Sequence, residues 1–150
     1  MRRALAPLSG VPQRIAGWSF QRRCCIFAAC LRYCAMRDVF VVEDETLIRM
    51  MVAEIVEDLG HRVIAQAGTI REAEPLARDA RFDLAILDIN VGGASIHPIA
   101  LIVEERGLQL LFASGYRSSG LPAPFNERPI HRKPFAVEEL GRAIDALLSA

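Results

Sequence analysis

The chain has 150 residues, 18 basic and 18 acidic side chains, and 52% hydrophobic content, enough apolar material for one domain core. Its formal charge of zero hides two unlike parts. Residues 1–35 hold six arginines (Arg2, Arg3, Arg14, Arg22, Arg23, Arg32) and no acid, so residues 36–150 carry the other 12 basic groups against all 18 acids and are net −6. No apolar run reaches the length of a transmembrane span. All four cysteines, Cys24, Cys25, Cys30 and Cys34, fall in the first part, and their spacing fits no zinc pattern built on Cys-x-x-Cys pairs. Residues 1–35 are therefore expected to be a disordered arginine- and cysteine-bearing extension or a mis-start, with a single domain over 36–150.

In chain order, Val39-Phe40-Val41-Val42 reads as a strand and runs into Glu43-Asp44-Glu45. A helix follows from Thr46 to Leu59, its apolar stripe taken as Leu47, Met50, Met51, Ile55 and Leu59, with Gly60 as its stop. Val63–Ala67 is a second strand. Thr69-Ile70-Arg71-Glu72 has the form of a capping box opening a second helix, whose interior Pro75 is expected to disturb or shorten. Leu84-Ala85-Ile86-Leu87, ending in Asp88, is the third strand. Ser95 is placed as the cap of a third helix through Arg106, with Pro98 in the first turn and Gly107 beyond the end. Leu108–Ala113 is the fourth strand and finishes in Ser114-Gly115. Residues 117–128 contain glycine and two prolines, present few apolar anchors, and predict no stable helix. A short strand around Ile130 leads to Lys133, and Val137–Leu148 is a last helix, amphipathic through Leu140, Ile144, Leu147 and Leu148.

Short, continuously apolar strands alternating with helices predict a parallel sheet covered on both faces. In such a sheet the carboxyl ends of the strands share one rim, and ligands bind there where the strand order reverses. Four strands here end in an acid pair, an acid, a hydroxyl and an amine. The amine is Lys133, the one lysine in a chain otherwise dependent on arginine. An ammonium is a compact point charge suited to one carboxylate or phosphoryl oxygen. Clustered carboxylates repel unless a cation sits among them.

These positions resemble those of a response-regulator receiver domain. Glu43 and Asp44 match its acidic pair, Asp88 its phosphorylated aspartate, Ser114 its Ser/Thr and Lys133 its lysine. Phe112-Ala113-Ser114-Gly115-Tyr116, with Arg128-Pro129 ahead of Lys133-Pro134-Phe135, resembles the single-domain group named for a Phe-Ala-Thr-Gly-aromatic motif. The resemblance implies a flavodoxin-like, doubly wound five-stranded parallel sheet of order 2-1-3-4-5, with the fourth helix short or absent. It implies Mg²⁺ held by Glu43, Asp44, Asp88 and the backbone carbonyl of Asn90. It also implies a cis Lys133–Pro134 linkage. Asp88 would accept a phosphoryl group from a histidine kinase or phosphotransfer protein, with Ser114 and Lys133 contacting that group. The expected protein is cytoplasmic, is no enzyme beyond its own phosphorylation and dephosphorylation, and signals by binding a downstream protein. Direct contact with nucleic acid is not expected, because only 17 residues follow Lys133. Two other classes compete with this reading. One is a receiver-like interaction module that takes no phosphate. The other is an aspartate-nucleophile phosphatase, in which Asn90 would stand where a second Asp belongs. Ile130 departs from the family, because many receivers place there an aromatic ring that turns inward.

Overall fold

The computed structural model of the chain describes residues 36–115 and 121–149. The expected extension at 1–35 lies outside the described residues, as do 116–120 and 150.

Five parallel strands form the sheet: β1 (Asp38–Val42), β2 (Arg62–Ala67), β3 (Leu84–Asp88), β6 (Gln109–Ser114) and β7 (Ile130–Arg132). Their order is β2-β1-β3-β6-β7, which is 2-1-3-4-5 when these five are counted along the chain. The alternation of strand side chains assigns each to one of two cores. Val39, Val41, Leu84, Ile86, Leu111 and Ala113 pack beneath α1 (Thr46–Asp58) and α4 (Val137–Leu148). Phe40, Val42, Ala85, Leu87, Leu110 and Phe112 face α2 (Ile70–Asp79) and α3 (His97–Glu105). Burial on both faces is why these strands read as unbroken apolar runs. The sheet is thus doubly wound and flavodoxin-like.

Most elements fall where the residue pattern puts them, and the exceptions have local causes. In α1 the buried row is Val52, Ile55 and Val56, flanked by Ile48, Met51 and Leu59, whereas Leu47 and Met50 are 82% and 54% exposed. Those two share an outer row with Glu54 and Glu57, so the expected stripe holds at Met51, Ile55 and Leu59 and fails at Leu47 and Met50. Helix α2 runs unbroken through Pro75. The missing N–H frees only the carbonyl of exposed Arg71, one turn from the helix start, where water can take it. Thr69 caps α2 by accepting from Glu72 N at 3.2 Å, and Glu72 Oε2 accepts from Gly68 N at 2.9 Å. Ser95 does not cap α3. Ile96 holds that position, and Ser95 Oγ accepts from His97 N at 3.3 Å.

Ahead of α3 lies a hairpin that the sequence reading missed, β4 (Asn90–Val91) with β5 (Ala94–Ser95). Its turn residues Gly92 and Gly93 have φ of +60° and +85°, the mirror-type turn that matches strand twist and that Gly-Gly adopts without steric cost.

Between β6 and β7 no helix occurs among the described residues. The stretch is nonetheless anchored, contrary to the expectation of few apolar anchors. Phe125 is fully buried and Leu121 nearly so, both joining the α2–α3 core. Phe125 packs on Phe112, ring centroids 5.4 Å apart, and edge-on to His97 at 5.7 Å. His97 Nε2 lies 3.0 Å from the carbonyl oxygen of Ala123. Ile130, at the start of β7, is 38% exposed and does not fill an inward aromatic site.

Candidate functional site

The register between strands decides which side chains meet. Val42 pairs with Leu87 across β1 and β3, so Glu43 and Asp88 stand one step further along adjacent strands. Both continue the Val39–Val41 and Leu84–Ile86 rows and therefore lie on the α1–α4 side. On the other flank of β3, Asp88 pairs with Ala113, which places Ser114 one residue beyond it. Ser114 O accepts from Lys133 N at 2.9 Å, tying the lysine's backbone to the end of β6. The Lys133–Pro134 peptide is cis.

Lys133 is 9% exposed, and its Nζ lies 2.8 Å from Asp88 Oδ2 while also donating to Glu43 Oε2. Glu43 is 2% exposed and Asp88 8%. A buried ammonium held by two buried carboxylates is the electrostatic centre of the rim. Burial pushes the Glu43 carboxyl above its ordinary pKa. The hydrogen bond and charge of Lys133 pull it back, and the Asp88 carboxylate pushes it up again.

Asp44 is exposed at the edge of this pair, and its Oδ2 accepts from Gly92 N at 3.0 Å. One carboxylate oxygen each from Glu43, Asp44 and Asp88 lie within 4.8 Å of one another, a spacing that could hold a metal ion. The donors are all hard oxygens, as Mg²⁺ prefers. Three carboxylates against one ammonium leave a formal surplus of two negative charges, which a divalent cation would neutralise. The residues present therefore fit the ion that the resemblance implies.

The remaining site positions are close by. Asn90 is exposed, with its N–H donating to Asp88 Oδ1 at 3.3 Å. Ser114 is buried, and its hydroxyl donates to the Gly115 carbonyl at 2.8 Å. A cavity of about 270 Å³ opens over the site between Glu45, Ile48, Met51, Asp88, Lys133 and Pro134. Two residues with a hand in the geometry were not singled out from sequence. Gly92 could have been found from the Gly-Gly turn signal. Arg49, whose guanidinium donates to the Glu43 carbonyl, carries no mark in the sequence.

A doubly wound α/β domain with a carboxylate–lysine pocket at the carboxyl ends of β1, β3 and β7 is the class that these observations define. No family model matches the chain. Among solved structures it is similar to SdrG from Sphingomonas melonis Fr1, with 32% identity over 75% of this chain and 97% of that one and a TM-score of 0.68. It is also similar to the BeF3-activated conformation of SdrG from Pseudomonas melonis Fr1, at 31% identity, 74% and 95% coverage and a TM-score of 0.62. A curated relative is the transcriptional regulatory protein PdtaR of Mycobacterium tuberculosis, 28% identical over 117 residues, which are 75% of this chain and 57% of PdtaR. The chain spans about half the length of the curated relatives it matches. The chain belongs to the response-regulator receiver family of two-component signalling. Among the described residues, no helix is long and apolar enough to cross a membrane.

Proposed function

We propose that this chain is a phosphoacceptor receiver in a cytoplasmic phosphorelay, with Asp88 taking a phosphoryl group from a histidine kinase or phosphotransfer protein. The observation that carries the reading is Lys133 Nζ seated between the buried carboxylates of Glu43 and Asp88, with Asp44 beside them. Phosphoryl transfer asks little covalent work of a protein and much positioning and charge neutralisation. Asp88 is the nucleophile. Its carboxylate oxygen forms a bond to phosphorus as the donor's P–N or P–O bond breaks, and the electron pair leaves with the donor.

Glu43, Asp44, Asp88 and the Asn90 carbonyl would hold Mg²⁺, which when bound supplies charge neutralisation to the transferring group. Lys133 would follow the phosphoryl group as its ion-pair partner. The Ser114 hydroxyl, now donating to Gly115, would turn to donate to a phosphoryl oxygen. The new charge then alters a surface read by a downstream protein. That SdrG has a BeF3-activated conformation supports this reading for a chain 31% identical to it.

The test is labelling with acetyl phosphate in the presence and absence of Mg²⁺. The parent chain should label only with the metal, and Asp88→Asn should not label at all. Equal labelling of the Asn variant would remove Asp88 from its role. A parent that stays unlabelled would leave a receiver-shaped interaction module.

A further inference from the structure

Asp44 and Glu43 sit in a three-residue connection between β1 and α1, and the Glu43 backbone is held at both its N–H and its carbonyl. Its N–H donates to Ala67 O at 3.0 Å, at the exit of β2. Its carbonyl accepts from Arg49 Nη1, and Arg49 Nη2 lies 3.4 Å from Thr46 Oγ1. Arg49 thus reaches back one turn of α1 and spans the connection. The bond from Glu43 to Ala67 brings the next residue, Gly68, against the same guanidinium. A methyl group placed on Gly68 would lie 2.9 Å from Arg49 Nη1, closer than a side-chain carbon can approach.

We propose that Arg49 is a positioning residue for the acid pair and that Gly68 is a glycine because the guanidinium occupies the space of its side chain. Rotating the Glu43–Asp44 peptide would swing both carboxylates that flank it. Arg49 holds that peptide at the carbonyl, and Gly92 holds the Asp44 carboxylate from the hairpin. Charge alone does not account for the arrangement, since a cation beside the pocket would repel a divalent ion. The benefit lies in fixing the donors before the ion arrives, as outer groups do for metal ligands. The inference rests on the reading of the pocket as a Mg²⁺ site.

The guanidinium is the far end of a flexible side chain, so Gly68→Ala should displace it without disturbing the sheet. It also keeps the positive charge in the molecule. The experiment is a calorimetric Mg²⁺ titration of the full chain and of Gly68→Ala, Arg49→Ala and the double variant, with melting of each in metal-free buffer. With Arg49 present, Gly68→Ala should weaken Mg²⁺ binding roughly tenfold, the lower end of what loss of an outer-shell partner costs. With Arg49 already removed, the same alanine should change affinity little, because there is nothing left to displace. The metal-free melting temperature of Gly68→Ala should match the parent. Parent-like affinity in Gly68→Ala, or an equal loss in both backgrounds, overturns the inference while the metal site stands. A parent that binds no Mg²⁺ overturns both.

Discussion

The connection Glu43–Glu45, which leaves β1, and the segment 121–129, which leads into β7, are held by different means. The first is a polar tether. Backbone donors and acceptors, Arg49 and a buried lysine fix two carboxylates that would otherwise repel Asp88. The second replaces a helix with two apolar plugs, Leu121 and Phe125, backed by the contact of His97 with the Ala123 carbonyl and by an ion pair from Arg128 to Glu104. The contrast teaches that one connection can carry the chemistry of a receiver while another is held chiefly by apolar packing. It follows that the two should fail separately.

The largest expected effect is on the packing side. Phe125 is fully buried against Phe112 and His97, so Phe125→Ala should destabilise the fold by about 3–5 kcal/mol, the usual cost of truncating a core phenylalanine. That is a large share of the stability of a small domain. Urea denaturation would measure it. The fraction still folded should bind Mg²⁺ with parent affinity. Loss of binding in that fraction would show that the plug and the tether are one unit.

A smaller effect belongs to the hairpin that holds Asp44. Gly92 has φ of +60° and donates its N–H to Asp44. Gly92→Ala places a side chain in the left-handed region, which costs about 1 kcal/mol. A modest drop in denaturation midpoint, with weaker Mg²⁺ binding, is expected. Unchanged Mg²⁺ affinity would show that the hairpin does not help to place Asp44.

The same contrast explains what could be read from the sequence. Residue type and position at the ends of apolar runs were enough to nominate Glu43, Asp44, Asp88, Ser114 and Lys133, because a parallel sheet has one rim for all its strand ends. The strand order followed from the resemblance. The Phe125 plug was illegible because one aromatic residue among prolines has no periodicity, and its burial depends on how the segment ahead of β7 lies on the α2–α3 core. In α1 only Leu47 and Met50 depart from the expected stripe, because they are apolar yet lie on the outer row, and helical spacing alone does not say which row faces the sheet. Arg49 was illegible for a further reason. Its partner is a backbone carbonyl, and backbone leaves no trace in residue type.

The acid side can be sharpened by pH. The folded-state pKa of Glu43 is raised by burial and by Asp88, so in metal-free protein its contribution is full below the unfolded value of 4.5 and is lost as pH rises through the folded value. Glu43→Gln keeps an acceptor for Lys133 and cannot ionise. Metal-free Glu43→Gln should gain stability relative to the parent between pH 4 and pH 7, while its Mg²⁺ affinity falls. A constant difference across that range would show that Glu43 is not held against ionisation.

The smallest expected effect lies at the opposite end of the sheet and carries the opposite sign. His61 precedes β2, and its Nδ1 is buried with no hydrogen-bond partner among the described residues. Burial lowers its pKa from 6.5, Asp145 draws it partly back, and Arg37 pushes it further down. The unfolded chain therefore takes up the proton first as pH falls. Stability from this group is full above 6.5 and is lost as pH drops through that value toward the lower folded one. His61→Leu has no proton to take up. Between pH 7 and pH 5 the parent should lose stability that His61→Leu keeps, measured as the difference between their urea midpoints at each pH. Because Glu43 stabilises in the acid direction and His61 in the alkaline one, their slopes oppose each other in the parent, and each single variant should unmask the slope of the other. Parallel curves for parent and His61→Leu would mean that the imidazole titrates alike in both states and that the pH response belongs to the carboxylate rim.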